Sequence, residues 1–230
     1  MQLSVRARSA GISPRSRFLQ LRRAVLAGSI LATATLTLFV ASSLVRFATE
    51  GWWAAILLAL PLGVATIDLV TGIVHWACDR FGDANTPVVG PLLIRAFREH
   101  HVDPSGMVDH DWIETNGEPC VLTAPTLAVL ALLAPSVQSG LGAAALTLVW
   151  TMATVGAWAN QVHKWAHMPE APRMARILQR VGLALRPSEH ACHHRNPHDS
   201  GYCISTGWMN PLLDRLGLWA RLERLLRRTA

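Results

Sequence analysis

Histidine is absent before residue 75 of this sequence and then occurs ten times, as His75; His100, His101 and His110; His163 and His167; and His190, His193, His194 and His198. Imidazole is the side chain best suited to holding a transition metal near neutral pH, so the grouping points first to metal chemistry. His75 and Asp79 stand four residues apart, the spacing that puts two side chains on one face of a helix, and a cation could sit between them. Asn160, His163 and His167 repeat the device with two imidazoles. His190-Ala191-Cys192-His193-His194 is an H-x-x-H-H box, followed by Arg195-Asn196-Pro197-His198, and offers three ligands from one helical turn.

Glu99, His100 and His101 close a segment that begins at Pro91, a residue suited to the first turn of a helix, and ends before Asp103-Pro104. Any single histidine at a membrane edge is more often a hydrogen-bonded interfacial side chain than a ligand. The joint pattern of four separate stretches is what implies a metal site. Spacing alone leaves zinc, copper, iron and nickel open, but about eight candidate ligands exceed the three or four that one zinc takes. No H-E-x-x-H is present, which argues against a zincin, and no E-x-x-H pair, which argues against the soluble carboxylate di-iron bundle. What remains is the histidine-rich membrane di-iron type.

The elements that must position these residues read as membrane spans. The chain is 51% hydrophobic and only 16% charged, more apolar than a soluble domain. Four uncharged or nearly uncharged runs, 24–45, 52–76, 121–137 and 141–159, are candidate transmembrane helices. The second carries Pro61 and the acidic Asp68, which is expected to pair with a polar group inside the bundle. The last two are separated only by Gln138, Ser139 and Gly140 and read as a tight hairpin. A secretory signal peptide is the alternative for the first run, whose 22 apolar residues exceed a signal core of roughly 7 to 15.

Arg6, Arg8, Arg15, Arg17, Arg22 and Arg23 precede the first span and only Arg46 follows it, which predicts a cytoplasmic amino terminus. Four spans then put residues 77–120 and everything after 160 on the cytoplasmic side, with all the histidines on or beside one face. The expectation is an all-α integral membrane protein: a basic tail over 1–23, a four-span domain with a helical cap carrying a di-metal site over 24–211, and an amphipathic helix over 212–230. That last helix, with Leu213, Leu216, Leu222, Leu225 and Leu226 among arginines, would lie in the interface or pack on the cap. Net charge is +6, with arginines at the edges of apolar runs, which suits anionic lipid headgroups and not nucleic acid. Cys78, Cys120, Cys192 and Cys203 include no C-x-x-C pair and read as free thiols.

The motifs, in order, resemble a known family. Gly72-Ile73-Val74-His75-Trp76 with Asp79, Phe97-Arg98-Glu99-His100-His101-Val102-Asp103-Pro104, His110-Asp111-Trp112-Ile113-Glu114-Thr115-Asn116-Gly117, Asn160-Gln161-x-His163-Lys164-Trp165-x-His167, His190-x-x-His193-His194, Pro197-His198 and Tyr202-Cys203-Ile204-Ser205-Thr206-Gly207-Trp208 are similar to those of the lipid desaturases. That family includes the plasmanylethanolamine desaturases, the bacterial CarF proteins and a plant chloroplast fatty acid desaturase. The resemblance covers about Asp68 to Leu218. It implies two iron ions, dioxygen as oxidant, and an external electron donor of the ferredoxin, flavodoxin or cytochrome b5 type. It assigns His75, Asp79, His100, His101, His163, His167, His190, His193 and His194 as metal ligands. His110 and His198 are candidates for ligation or for orienting the ligands, and Asn160 and Glu99 complete the cofactor-binding candidates. Phe97 stands where a full H-x-x-H-H box would have its first histidine, so ligands cannot be transferred one by one from acyl-CoA desaturases.

The function expected is desaturation of a phospholipid chain, foremost plasmanylethanolamine to its vinyl ether in plasmalogen synthesis, by a multi-pass protein of the bacterial inner membrane. An acyl-chain desaturase, a lipid hydroxylase with the same metals, and a non-enzymatic histidine-rich metal or haem carrier are the rivals. A carrier would spread its ligands across the bilayer. Arg95, Arg98, Lys164 and Arg195 are candidates for a lipid phosphate or for surface anchoring, and Asp109, Asp111, Glu114 and Glu118 for ordering imidazoles.

Overall fold

The computed structural model describes residues 14–229, so Arg6 and Arg8 of the expected basic tail lie outside the described residues. All regular structure among the described residues is helical. Four long helices form the body: α1 (Pro14–Phe47), α2 (Trp53–Arg80), α4 (Trp112–Leu133) and α5 (Gly140–Ala157). Between the second and third of them lies the short α3 (Arg95–Val102), entered through a wide turn at Gly90–Ile94. After α5 come α6 (Ala159–His167), α7 (Arg173–Arg180), α8 (Pro187–His193), α9 (Asn210–Arg215) and α10 (Leu218–Thr229).

By length and composition three helical stretches can cross a membrane: Arg15–Arg80, Trp112–Ser136 and Gly140–Ala157. The first of these is bent at Ala48–Trp52, where Gly51 takes φ +93°, a conformation that side-chain-bearing residues avoid. This bend falls between the two runs separated in the sequence. The chain directions follow from side-chain contacts. Along α1, Arg23 meets Asp111, Thr33 meets Cys120 and Arg46 meets Ala134, so α1 and α4 run the same way. A Cβ on Gly63 would touch Thr151 and one on Gly156 would touch Ile67, so α2 and α5 also run together. Asn116 of α4 meets Gln161, just beyond α5, which sets that pair opposite to each other. The bundle therefore alternates up and down, with the turns at 48–52 and 134–139 at one end.

That turn end holds the apolar core, in which Val40, Leu44, Phe47, Ile56, Leu127, Leu130 and Leu146 pack together. Outward, Leu31, Leu38, Leu58, Leu122, Leu132 and Leu141 are exposed, the surface expected of helices embedded in lipid. The opposite end gathers the buried polar groups, among them Asp68, His75, His163, His190 and His193. The helices outlast the expected spans there for local reasons. Asp111 caps α4 by accepting Ile113 N at 2.9 Å and Glu114 N at 3.1 Å, and it also takes Arg23 at 2.5 Å, while Arg22 pairs with Glu118 at 2.7 Å. Asp111 and Glu118, read as possible partners of imidazoles, are thus taken up by the start of α1.

The carboxyl-terminal tail is two helices and not one, broken at Gly217 with φ +58°. Trp219 stacks near Trp76 and Tyr202, with ring centroids 5.9 and 5.1 Å away, and Glu223 bonds Arg80 at 2.8 Å. These contacts dock α10 on the end of α2. Cys78, Cys120, Cys192 and Cys203 are all free thiols.

Candidate metal centre

One face of α2 organises the polar end. Asp68, fully buried, accepts the backbone N–H groups of Ser205, Thr206 and Gly207 on Oδ1 at 3.2, 2.8 and 3.1 Å and that of Met209 on Oδ2 at 3.0 Å. One turn on, Gly72 leaves room for this loop, since a Cβ there would lie 2.6 Å from Cys203 Sγ. One further turn places His75 against the same loop, where its Nδ1 bonds Tyr202 O at 3.1 Å and its Nε2 is aimed inward. The buried aspartate thus anchors the loop that orients an imidazole, and a carbonyl acceptor on Nδ1 fixes the tautomer that leaves Nε2 free for a cation. His193 is held in the same way, by Ser200 O at 2.8 Å.

The candidate ligand atoms fall into two groups, within each of which all atoms lie inside 4.8 Å: His100, His163, His167, His190 and His194; and His75, Asp79, His101 and His193. In the first, His190 Nε2 lies 2.7 Å from the Nε2 atoms of both His163 and His167 and 3.0 Å from that of His194. In the second, Asp79 Oδ2 is 2.9 Å from His101 Nε2 and 3.5 Å from the Nε2 atoms of His75 and His193. The groups adjoin, because α3 gives His100 to one and His101 to the other, and His193 and His194 at the end of α8 divide likewise.

Such an arrangement fits metal ions and little else. A neutral imidazole nitrogen carries one proton or one lone pair, so His190 Nε2 cannot satisfy three nitrogens around it. A shared ion with bonds of about 2.0–2.1 Å would set ligand nitrogens roughly 3 Å apart. His75 Nε2, His100 Nε2 and Asp79 Oδ1 are buried without a hydrogen-bond partner, a costly state unless a cation takes them. Burial and neighbouring imidazoles push His100 down to about 3, and burial pushes His193 to about 3 and His167 and His194 to about 4. Burial holds His163 and His190 well below the ordinary value as well. All six are therefore neutral near pH 7, the form that binds metal.

The structure sets the other candidates apart from both groups. His198 is nearest: its Nδ1 bonds His193 O at 3.0 Å, its ring centroid is 4.5 Å from that of His101, and with Asp79, Arg80, Arg98, His101 and Pro197 it lines a cavity of about 220 Å³. His110 and Glu99 are exposed, and the backbone oxygen of His110 accepts Lys164 Nζ. Asn160 joins neither group, whereas its neighbour Gln161 is buried and accepts Asn116 Nδ2 at 2.9 Å. Phe97 packs against His75, ring centroids 4.9 Å apart. Arg98 donates to Cys78 O and Gly82 O and so ties α3 to the end of α2.

The supports of the ligands escaped the sequence reading. Ser200 and Tyr202 act through backbone oxygens, which no residue type announces. The one available signal was the run from Tyr202 to Trp208, whose small residues suit a loop pressed against a helix.

The lipid desaturase domain model matches residues 64–230. The chain is 42% identical over 183 residues to plasmanylethanolamine desaturase of Myxococcus xanthus, covering 76% of this chain and 62% of that protein. It is 37% identical over 176 residues to plasmanylethanolamine desaturase 1 of Mus musculus, covering 74% and 65%. With fatty acid desaturase 4-like 1, chloroplastic, of Arabidopsis thaliana it shares 32% over 180 residues, 76% of this chain and 57% of that one. The chain therefore matches less than two thirds of the length of these relatives, and no solved structure matches it. With more than half its length inside the domain model, the chain belongs to the lipid desaturase domain family.

Proposed function

We propose that the protein is a membrane-embedded di-iron desaturase that introduces a double bond into a phospholipid chain, with plasmanylethanolamine as substrate and its vinyl ether as product. The observation that carries this reading is the pair of adjoining ligand groups, nine side chains in all, at one end of an apolar bundle. In this reading α1, α2, α4 and α5 each span the bilayer and the bend at Gly51 separates the first two. The polar end and both termini face the cytoplasm of a bacterial inner membrane. His100, His163, His167, His190 and His194 hold one iron, and His75, Asp79, His101 and His193 hold the other. Dioxygen is the oxidant and an external protein of the ferredoxin, flavodoxin or cytochrome b5 type supplies electrons.

Iron with dioxygen would supply the oxidising power to remove two hydrogens from adjacent unactivated carbons, which no side chain can do. The protein's own contribution is position. Carbonyls of Tyr202 and Ser200 aim His75 and His193, and Asp79 adds a negative charge to one group only, making the two sites unequal. A centre at the end of the bundle would meet the part of a lipid chain close to its headgroup, which suits oxidation at the first carbons of an ether chain.

The similarity to chloroplast fatty acid desaturase 4-like 1 favours, as a second reading, an acyl chain of another lipid as substrate. Lipid analysis of a host expressing the chain, with His193→Ala as control, tests both. New vinyl-ether lipids absent from the variant are the expected result. A new acyl double bond would select the second reading, and a hydroxylated lipid would exclude desaturation.

A further inference from the structure

A second polar concavity lies away from both ligand groups. Arg176, Gln179, Arg180, Arg186, Pro187 and Ser188 line an open cleft of about 370 Å³ between α7 and the start of α8. Arg186 is fixed at its rim, donating from Nε to Gln179 O at 3.1 Å and from Nη1 to Glu189 Oε1 at 3.4 Å, with which it forms an exposed ion pair. Arg176 donates to Ala171 O at 3.1 Å. Three guanidinium groups around one cleft describe a receptor for an anion with several oxygens, which is phosphate chemistry.

The surroundings say where that phosphate sits. On α7, Ala175 and Gln179 face inward, while Met174 and Ile177, with Val181 just past the helix end, are 63, 43 and 62% exposed, and Leu183 beyond them is 54% exposed. The arginines occupy the flank between these two faces, the layout of a helix lying in a membrane surface with its charges at headgroup level. The depth agrees. Gly182 O accepts Trp208 Nε1 at 2.5 Å and Leu185 N donates to Ser205 O at 3.1 Å. Ser205 in turn hangs from Asp68, two helical turns from His75 toward the middle of the bundle. The exposed apolar residues beside the cleft are thus held on the lipid side of the metal centre.

We propose that this cleft binds the headgroup phosphate of a membrane phospholipid, with Arg176, Arg180 and Arg186 as its cationic contacts. The proposal rests on the membrane placement above and not on the reaction.

Native mass spectrometry of the full chain in a maltoside detergent tests it, using dioleoylphosphatidylethanolamine, dioleoylglycerol and inorganic phosphate as probes. The expected result is saturable retention of the phospholipid, no retention of dioleoylglycerol and no displacement by millimolar phosphate. Arg180→Glu, at an exposed position, should weaken retention about tenfold with unchanged metal content, and Arg180→Lys much less. Equal retention of dioleoylglycerol, or unchanged binding in Arg180→Glu and in Arg176→Ala/Arg180→Glu, would overturn the proposal, as would absence of binding by the wild type. Full displacement by inorganic phosphate would make it a free-phosphate site and overturn the lipid assignment. Resistance of the chain to alkaline extraction from membranes reads its membrane placement separately.

Discussion

Asp68 Oδ1 and Thr206 N are joined by a hydrogen bond of 2.8 Å across 138 residues of sequence, and the same carboxylate holds three further backbone N–H groups of that loop. The side chain is matched here to four backbone donors with no partner side chain. Asp68→Asn keeps the shape but turns half of the group into a donor facing Met209 N. The variant should lose roughly 2–4 kcal/mol of stability and part of its metal, because the loop that aims His75 is released. Thermal unfolding in detergent with metal analysis reads both. An unchanged midpoint would show that the loop is anchored by something else.

Gly72 tests the close approach of that loop to α2. Its Cβ position lies 2.6 Å from Cys203 Sγ and 3.3 Å from both Cys203 N and the Trp219 ring. Gly72→Ala should cost about 1–3 kcal/mol by overpacking. Adding Cys203→Ala removes the nearest atom and should recover much of the loss. A double variant no more stable than Gly72→Ala would place the strain on the backbone and ring contacts instead.

The metal-free protein should be acid-sensitive. Its His100 and His193 titrate at about 3 and its His167 and His194 at about 4, because burial disfavours the charged form, against an ordinary 6.5 once unfolded. Between those limits the unfolded chain binds protons that the folded chain does not. Stability is therefore retained above pH 6.5 and falls as the pH drops from there toward 4. Thermal midpoints of chelator-treated protein at pH 8, 7, 6 and 5 check the sign: the expectation is little difference between 8 and 7 and a progressive fall below. A flat profile to pH 5 would contradict the burial of these rings.

How much was legible in the sequence depends on whether an interaction is carried by a residue type or by the backbone. The spacing of His75 with Asp79, of His163 with His167 and of His190 with His193 and His194 put each set on one helical face, and in the structure all nine side chains fall in the two groups. Periodicity states which face a residue takes but not what that face meets. It therefore gave no warning that Tyr202 O and Ser200 O receive the Nδ1 protons, or that His100 and His101 divide between two groups. Helix ends moved for the same reason. The stretch before residue 121 is helical because Asp111 caps it and Arg22 and Arg23 of α1 meet its acidic first turns, contacts between segments far apart in sequence. The leucines of the tail suit either a membrane or a protein surface, and periodicity gave no sign of the contacts that Trp219 and Glu223 make with the end of α2.

The two groups should be separable by mutation. Asp79→Ala removes the carboxylate of one and His190→Ala the central imidazole of the other, so each variant should retain about one ion if the wild type, as proposed, binds two. Loss of both ions from each variant, in protein that remains folded by circular dichroism, would mean that the groups load as a single unit.

The most direct measurement is the metal stoichiometry of the purified full chain from iron-supplied cells, combined with X-ray absorption at the iron edge. Two irons per chain with a first shell dominated by imidazole nitrogen is the predicted result. One zinc and no iron, or iron without histidine coordination, would contradict the account.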